Sequence, residues 1–246
     1  MARYVEGPAF YATAKRGAWR DVRAVLHPPY TAWMLSYVVL GAMLGARVNW
    51  TTLLATLVAF FLAVGVCAHA LDELRGRPLG TLIPSRTLWA AAVLGLVGAV
   101  ALGVVGTARV GAGLLIFIVA GALLVFSYNL ELFGGRVHTD LVFALAWGSF
   151  PVLTSAYAQS SRLSPSALVL AFAAALISAA QRSLSTPVRR LRRQVTSVDG
   201  ALTYVDGRVE RIERATLLGP SERALRAMSW AMMALAVAFV LARRGH

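Results

Sequence analysis

The chain has 246 residues, of which 58% are hydrophobic and only 14% charged. A water-soluble domain of this length carries about 25% charged residues, so composition excludes an ordinary soluble globule and points to an integral membrane protein. The formal net charge of +13 is read as membrane topology and contact with anionic headgroups, and no nucleic-acid partner is expected.

Residues 8–26 mix Phe10, Tyr11, Trp19, Val22, Val25 and Leu26 with Lys15, Arg16, Arg20 and Arg23. This reads as a basic amphipathic helix on the cytoplasmic face of the bilayer, making residues 1–29 an interfacial segment. Residues 1–30 hold no continuous apolar core, so no cleavable leader is evident. His27-Pro28-Pro29 ends the helix, because proline disfavours helix at the residue before it. Tyr30 and Trp33 then suit an interfacial aromatic belt.

Seven apolar spans follow, at about 31–46, 50–71, 87–106, 110–128, 141–158, 165–184 and 224–242. Most are near the ~20 residues a helix needs to cross the hydrocarbon core. Apolar residues run continuously rather than alternating, and Gly and Ala are frequent, which favours packed helices over a barrel. Gly41, Gly45, Gly95, Gly98, Gly103, Gly111 and Gly121 are small positions where helices can approach closely. The single Cys67 lies inside a span, so there is no disulfide framework. The expected fold is all-α: one domain, with a polytopic bundle of about seven transmembrane helices over residues 30–246.

The connections divide by charge. With a cytoplasmic N-terminus, the inward segments hold nineteen of the twenty-four basic residues, from Arg3 through Arg75, Arg77, Arg86 and Arg136 to the run Arg182–Arg226. The positive-inside bias places the N-terminus in the cytoplasm of a multi-pass protein in the cell (inner) membrane. The inward loops are 72–86, 129–140 with a turn at Gly134-Gly135, and a long one at 185–223. In the last, Asp206-Gly207 between Leu202–Val205 and Arg208–Ile212 gives a hairpin signal.

Only eleven residues are acidic, and four of them fall in two clusters just past the ends of apolar runs. His69, Asp72 and Glu73 share one face of a helix by spacing; Glu131, His138 and Asp140 bracket the next inward loop, beside Tyr128 and Asn129. Carboxylates at a bilayer edge must be hydrated, paired or bound to a cation. Carboxylate oxygens suit Mg2+ bridging to phosphate oxygens; imidazole suits softer metals better. The plainer alternatives stay open: Asp72 or Glu73 paired with Arg75 or Arg77, Asp140 as a helix N-cap, and the arginines from Arg182 to Arg193 as lipid-headgroup contacts rather than phosphate forks.

These residues resemble the UbiA superfamily of intramembrane prenyltransferases over roughly residues 25–242. Ala68-His-Ala-Leu-Asp72-Glu-Leu-Arg-Gly76-Arg77-Pro78 stands where that family has NDxxDxxxDR, with Asp72 at the middle Asp, His69 at the first and Gly76 at the third. Leu82-Ile83-Pro84-Ser85 is similar to RPIPSG, Tyr128-Asn-Leu-Glu-Leu to the tyrosine segment after the fourth helix, and Gly148-Ser-Phe-Pro151-Val-Leu to GxxPVL. The second motif, of the form NxxRDxxxD, is matched only at Arg182, since Ser183 and Pro187 stand where Asp belongs. The family usually has nine spans, and this chain ends after the seventh.

The resemblance implies an all-helical fold, a prenyl diphosphate donor, a hydrophobic acceptor, and magnesium (Mg2+) that neutralises the departing diphosphate. Residue by residue it implies Asp72 and Glu73 as metal ligands and His69 as a ligand or orienting group. Arg77 and Arg182 would contact diphosphate, while Glu131, His138 and Asp140, with Tyr128 and Asn129, would stand in for the lost second cluster. Three rival readings remain: a non-catalytic isoprenoid-binding protein that kept the fold, a terpene cyclase of the same type, and a transporter. No mid-span charge or inverted repeat supports the last.

Overall fold

The computed structural model describes residues 7–12 and 17–244. Eight helices are assembled in chain order: α1 (Ala18–Leu26), α2 (Pro28–Ala42), α3 (Trp50–Leu74), α4 (Ser85–Val110), α5 (Leu114–Asn129), α6 (Asp140–Ser160), α7 (Pro165–Arg193) and α8 (Arg214–Arg244). A two-stranded antiparallel hairpin, β1 (Ala201–Thr203) with β2 (Val209–Arg211), lies between α7 and α8. Helices α3, α4, α6, α7 and α8 are long and apolar enough to cross a membrane, and α5 is a shorter apolar helix. Large apolar side chains such as Leu94, Val105, Ile116, Val169, Phe172 and Trp230 are exposed on the outside of the bundle, the pattern of helices solvated by lipid rather than water.

Local sequence explains where the helices start. Asn49, Thr139 and Ser164 each accept a hydrogen bond from a backbone N–H three residues ahead, satisfying donors that have no partner in the first turn. His27 turns the corner between α1 and α2 in the left-handed region, with φ 46°, and Pro28 and Pro29 begin α2 where a missing N–H does no harm.

Helix α2 is the axis of the packing. One face, with Met34 and Val38, joins Leu53, Phe60, Val64, Leu88 and Val125 of α3, α4 and α5. The other, with Trp33, Tyr37 and Leu40, joins Val152, Ala171 and Met232 of α6, α7 and α8. Gly41 lets the backbones of α2 and α6 touch, because a Cβ there would collide with the carbonyl of Val152.

Helices α3 and α6 each contain a π-helical stretch, Phe61–Ala68 and Leu145–Ser149. Such widened turns re-aim the side chains that follow and occur often at functional sites. A largely apolar cavity of about 230 Å³ lies among α3, α4, α5 and α6, lined by Thr51, Phe60, Gly103, Phe117 and Phe150 among others.

Several expectations are corrected. Helix at 8–26 is confined to α1: residues 9–12 form a tight turn closed by an Ala9–Ala12 bridge. Lys15 and Arg16, like Arg3, lie outside the described residues. The long loop expected at 185–223 shrinks from both ends, since α7 runs through Pro187 to Arg193 and α8 starts at Arg214. Both extensions are held by packing of Val188 against Leu218 and Leu225, which outweighs the proline. Gly111 serves a chain reversal with φ 99° rather than a helix contact. The hairpin and the Gly134-Gly135 turn are present as expected.

Replacing Gly41 with Ala forces α2 and α6 apart. It is expected to lower stability by about 1–3 kcal/mol, read as a drop in thermal midpoint of the purified protein relative to Gly17→Ala, where a Cβ meets nothing within 4 Å.

Candidate functional site

The first cluster follows directly from the π-helical stretch of α3. His69 sits immediately after it, and its Nδ1 is 3.3 Å from the carbonyl of Gly65. A carbonyl only accepts, so Nδ1 carries the proton and Nε2 keeps its lone pair. The His69 ring stacks on His27, with centroids 4.4 Å apart and planes 22° apart. His27 Nδ1 is 2.6 Å from the Tyr11 hydroxyl.

Burial pushes the Tyr11 phenol up, so it remains protonated and donates. Burial also holds His27 well below its ordinary value, reinforced by His69, Arg193 and Arg189 nearby. The carboxylate of Asp72, one turn beyond His69, has no hydrogen bond or ion pair with any other described residue; its backbone carbonyl accepts from the Arg75 N–H at 3.2 Å.

Glu73 behaves differently from its neighbour. It is 0% exposed; its Oε2 accepts from the Leu79 N–H at 3.0 Å, and its Oε1 accepts from the Thr81 N–H at 2.9 Å and the Thr81 hydroxyl at 2.8 Å. Asp21 of α1, also buried, accepts from Leu82 N–H at 2.7 Å. Two buried carboxylates thus fix the loop between α3 and α4. Arg77 closes the same loop, donating to the Ile83 carbonyl and the Ser85 hydroxyl.

In the second cluster, Glu131 pairs with Arg75 at 2.8 Å, and Arg75 also donates to the Leu130 carbonyl. Asn129 is buried and donates back to Val125. His138 lies with Nδ1 3.1 Å from the Tyr128 carbonyl and its ring stacked on the Tyr128 ring, centroids 4.2 Å apart. Tyr128 is 3% exposed, and its hydroxyl has no hydrogen-bond partner among the described residues. Asp140 is exposed and pairs with Arg182 Nε at 2.8 Å. It is not the N-cap of α6, a role Thr139 takes.

These pieces meet at one cavity of about 530 Å³. It is bordered by His69, Asp72, Glu73, Tyr128, Asn129, Glu131, His138 and Arg182, whereas Arg77 and Asp140 lie outside its lining. Part of its wall is aromatic. Trp33 donates to the Tyr37 hydroxyl at 2.8 Å, and Ser178 donates to it at 3.1 Å. Tyr128, Phe143 and Trp147 form a second aromatic group, with Arg182 placed over the Phe143 ring.

Of the arginines that the sequence left open between phosphate forks and lipid-headgroup contacts, Arg189 and Arg193 join Arg182 in lining the cavity. With Arg182 they fall seven and eleven residues apart, which is one stripe along α7. That spacing was available, but only to a reading that carried the helix through Pro187.

The donor set does not form a two-cluster magnesium site. Glu73 is committed to the loop amides, and Glu131 and Asp140 are committed to arginines. Among the described residues no group of three or more His, Cys, Asp or Glu is placed to hold a metal ion. Compared with known proteins, the chain matches no family model, no curated protein and no solved structure at a significant level.

Glu73→Ala leaves three donors without an acceptor and is expected to cost about 3 kcal/mol of stability, visible as a lowered thermal midpoint. A residue needed only for ligand binding would leave that midpoint unchanged. His27 gives a pH signature. Above about pH 6.5 both folded and unfolded imidazoles are neutral; below it the unfolded chain takes up a proton the folded site refuses. Stability therefore falls on acidification, by up to about 1.4 kcal/mol per pH unit. Thermal melts between about pH 7 and pH 5 should show this slope in the native protein and a shallower one in His27→Gln.

Proposed function

We propose that this chain is a UbiA-like membrane prenyltransferase, taking an isoprenoid group from a prenyl diphosphate to a hydrophobic acceptor. In this reading α2 to α8 are seven membrane spans and the cavity opens at the cytoplasmic leaflet of the cell (inner) membrane. One observation carries it: a single cavity combines a stripe of three arginines, an unpaired carboxylate and a group of aromatic side chains. An amphiphile with an anionic head and an unsaturated tail matches that lining.

The chemistry assigned to these residues is electrostatic. The allylic C–O bond breaks and its electron pair leaves with the diphosphate, whose charge Arg182, Arg189 and Arg193 offset. The faces of Tyr128, Phe143 and Trp147 stabilise the allylic cation. The acceptor, or an internal alkene in a cyclase, forms the new carbon bond and gives up a proton. Asp72 or the bare Nε2 of His69 takes that proton. The magnesium implied by the resemblance does not match the donor set, and no step is routed through it.

A second reading, binding of an isoprenoid lipid without turnover, is favoured by one observation: no carboxylate lies between Asp140 and Asp199. Labelled prenyl diphosphates of several lengths, scored for pyrophosphate and for lipid product, separate the two. The enzyme reading expects both products, with turnover at least ~100-fold lower in Asp72→Asn and donor binding retained. Donor binding with no release in the native protein selects the second reading.

A further inference from the structure

Headgroup recognition in this cavity has to be explained without a cluster of carboxylates. Glu131 is taken up by Arg75 and Asp140 by Arg182, and Glu73 faces the loop amides. Asp72 is then the one cavity carboxylate with no partner among the described residues. Against it stand Arg189 and Arg193, neither of them ion-paired with a carboxylate among those residues. Arg189 donates to the Ser185 and Thr186 hydroxyls of its own helix. These contacts fix the plane of the guanidinium without neutralising it. Arg193 spends its Nε on the Pro8 carbonyl at 3.2 Å, and Arg182 spends its Nε on Asp140, leaving the terminal nitrogens of both.

Cations withdrawn from water without counter-charge are costly, and an array of planar forks on one helix face matches the oxygens of a phosphate or diphosphate. A second, independent observation points the same way. The Tyr128 hydroxyl, in a residue 3% exposed that lines this cavity, has no partner among the described residues. A buried hydroxyl without a partner is rare unless a ligand or water completes it.

Resting on the reading that the cavity takes a prenyl diphosphate, we infer that its diphosphate is held directly by Arg182, Arg189, Arg193 and the Tyr128 hydroxyl, with no divalent cation required. The arginines supply the positive charge that a pair of metal-bearing aspartate clusters would otherwise bring. Tyr128 supplies a neutral donor at the inner edge of the headgroup. Asp72 then remains free to take a proton rather than to ligate.

The test is calorimetric binding of inorganic pyrophosphate, and separately of a prenyl diphosphate, to the full chain in neutral phosphatidylcholine nanodiscs. Each is measured in EDTA and again with Mg2+. The affinity is expected to differ by less than about threefold between the two conditions, while Arg189→Gln and Arg193→Gln each weaken it at least about tenfold. Tyr128→Phe should weaken it about threefold or more with an unchanged thermal midpoint, an effect that a purely structural tyrosine would not produce. Arg190→Gln, an exposed neighbour outside the cavity, should bind as the native protein does.

Binding seen only with Mg2+ would overturn the inference while leaving the prenyltransferase reading intact. Failure of both ligands to bind in either condition would remove both. Repeating the titration in phosphatidylglycerol nanodiscs distinguishes the source of the phosphate: if that lipid abolishes binding, the cavity is a phospholipid headgroup site and the inference fails.

Discussion

A carboxylate carried to the end of an apolar helix must find donors, and Glu73 finds three within eight residues of itself. That arrangement governs the cytoplasm-facing architecture proposed here. By accepting from Leu79 and Thr81, Glu73 folds the α3–α4 loop back over the helix end, and Asp21 pins the same loop from the side of α1. Leu79 and Pro78 thereby become part of the cavity wall, and Arg75 is left reaching toward Glu131 across the mouth. The neighbouring Asp72, one position away on the helix, escapes this use because it points along a different radius. Two adjacent acids thus have separate roles, one structural and one exposed to whatever the cavity holds.

The opposite wall depends on α7. Its apolar half packs Ala171 and Ala174 against α2 and α6, and its polar half carries the arginines. That half is secured to α8 by a buried pair, Arg192 Nε with Glu222 at 2.6 Å, and by Val188, Leu218 and Leu225. A helix anchored so firmly can hold several guanidiniums in fixed positions, which is the preorganisation that recognition of a departing anion needs.

That the two His and carboxylate clusters, Asp140 apart, border one cavity was legible in the sequence, because both follow apolar runs of similar length that end on the same side. The specific use of each side chain was not. Glu73 finds its partners among backbone amides, which leave no signature in residue identity. Asp140 looked like a cap, but Thr139 was already in place one residue earlier, and Arg182 draws the aspartate outward. The alignment of Arg189 and Arg193 with Arg182 on one helix was hidden by Pro187, a residue that usually marks the end of a helix but here is tolerated at an exposed position of a helix held by tertiary packing. The π-helical stretches were unreadable for a related reason: an extra residue per turn changes no composition, only phase.

That phase shift has an evolutionary consequence. Adding or deleting one residue within Phe61–Ala68 would swing His69 and Asp72 by about 100° around the axis of α3, trading the cavity for lipid or for a neighbouring helix. The widened stretch therefore acts as an index mark, separating a membrane-facing half of the helix, free to drift in sequence so long as it stays greasy, from a short terminal half whose angular setting tolerates no slippage.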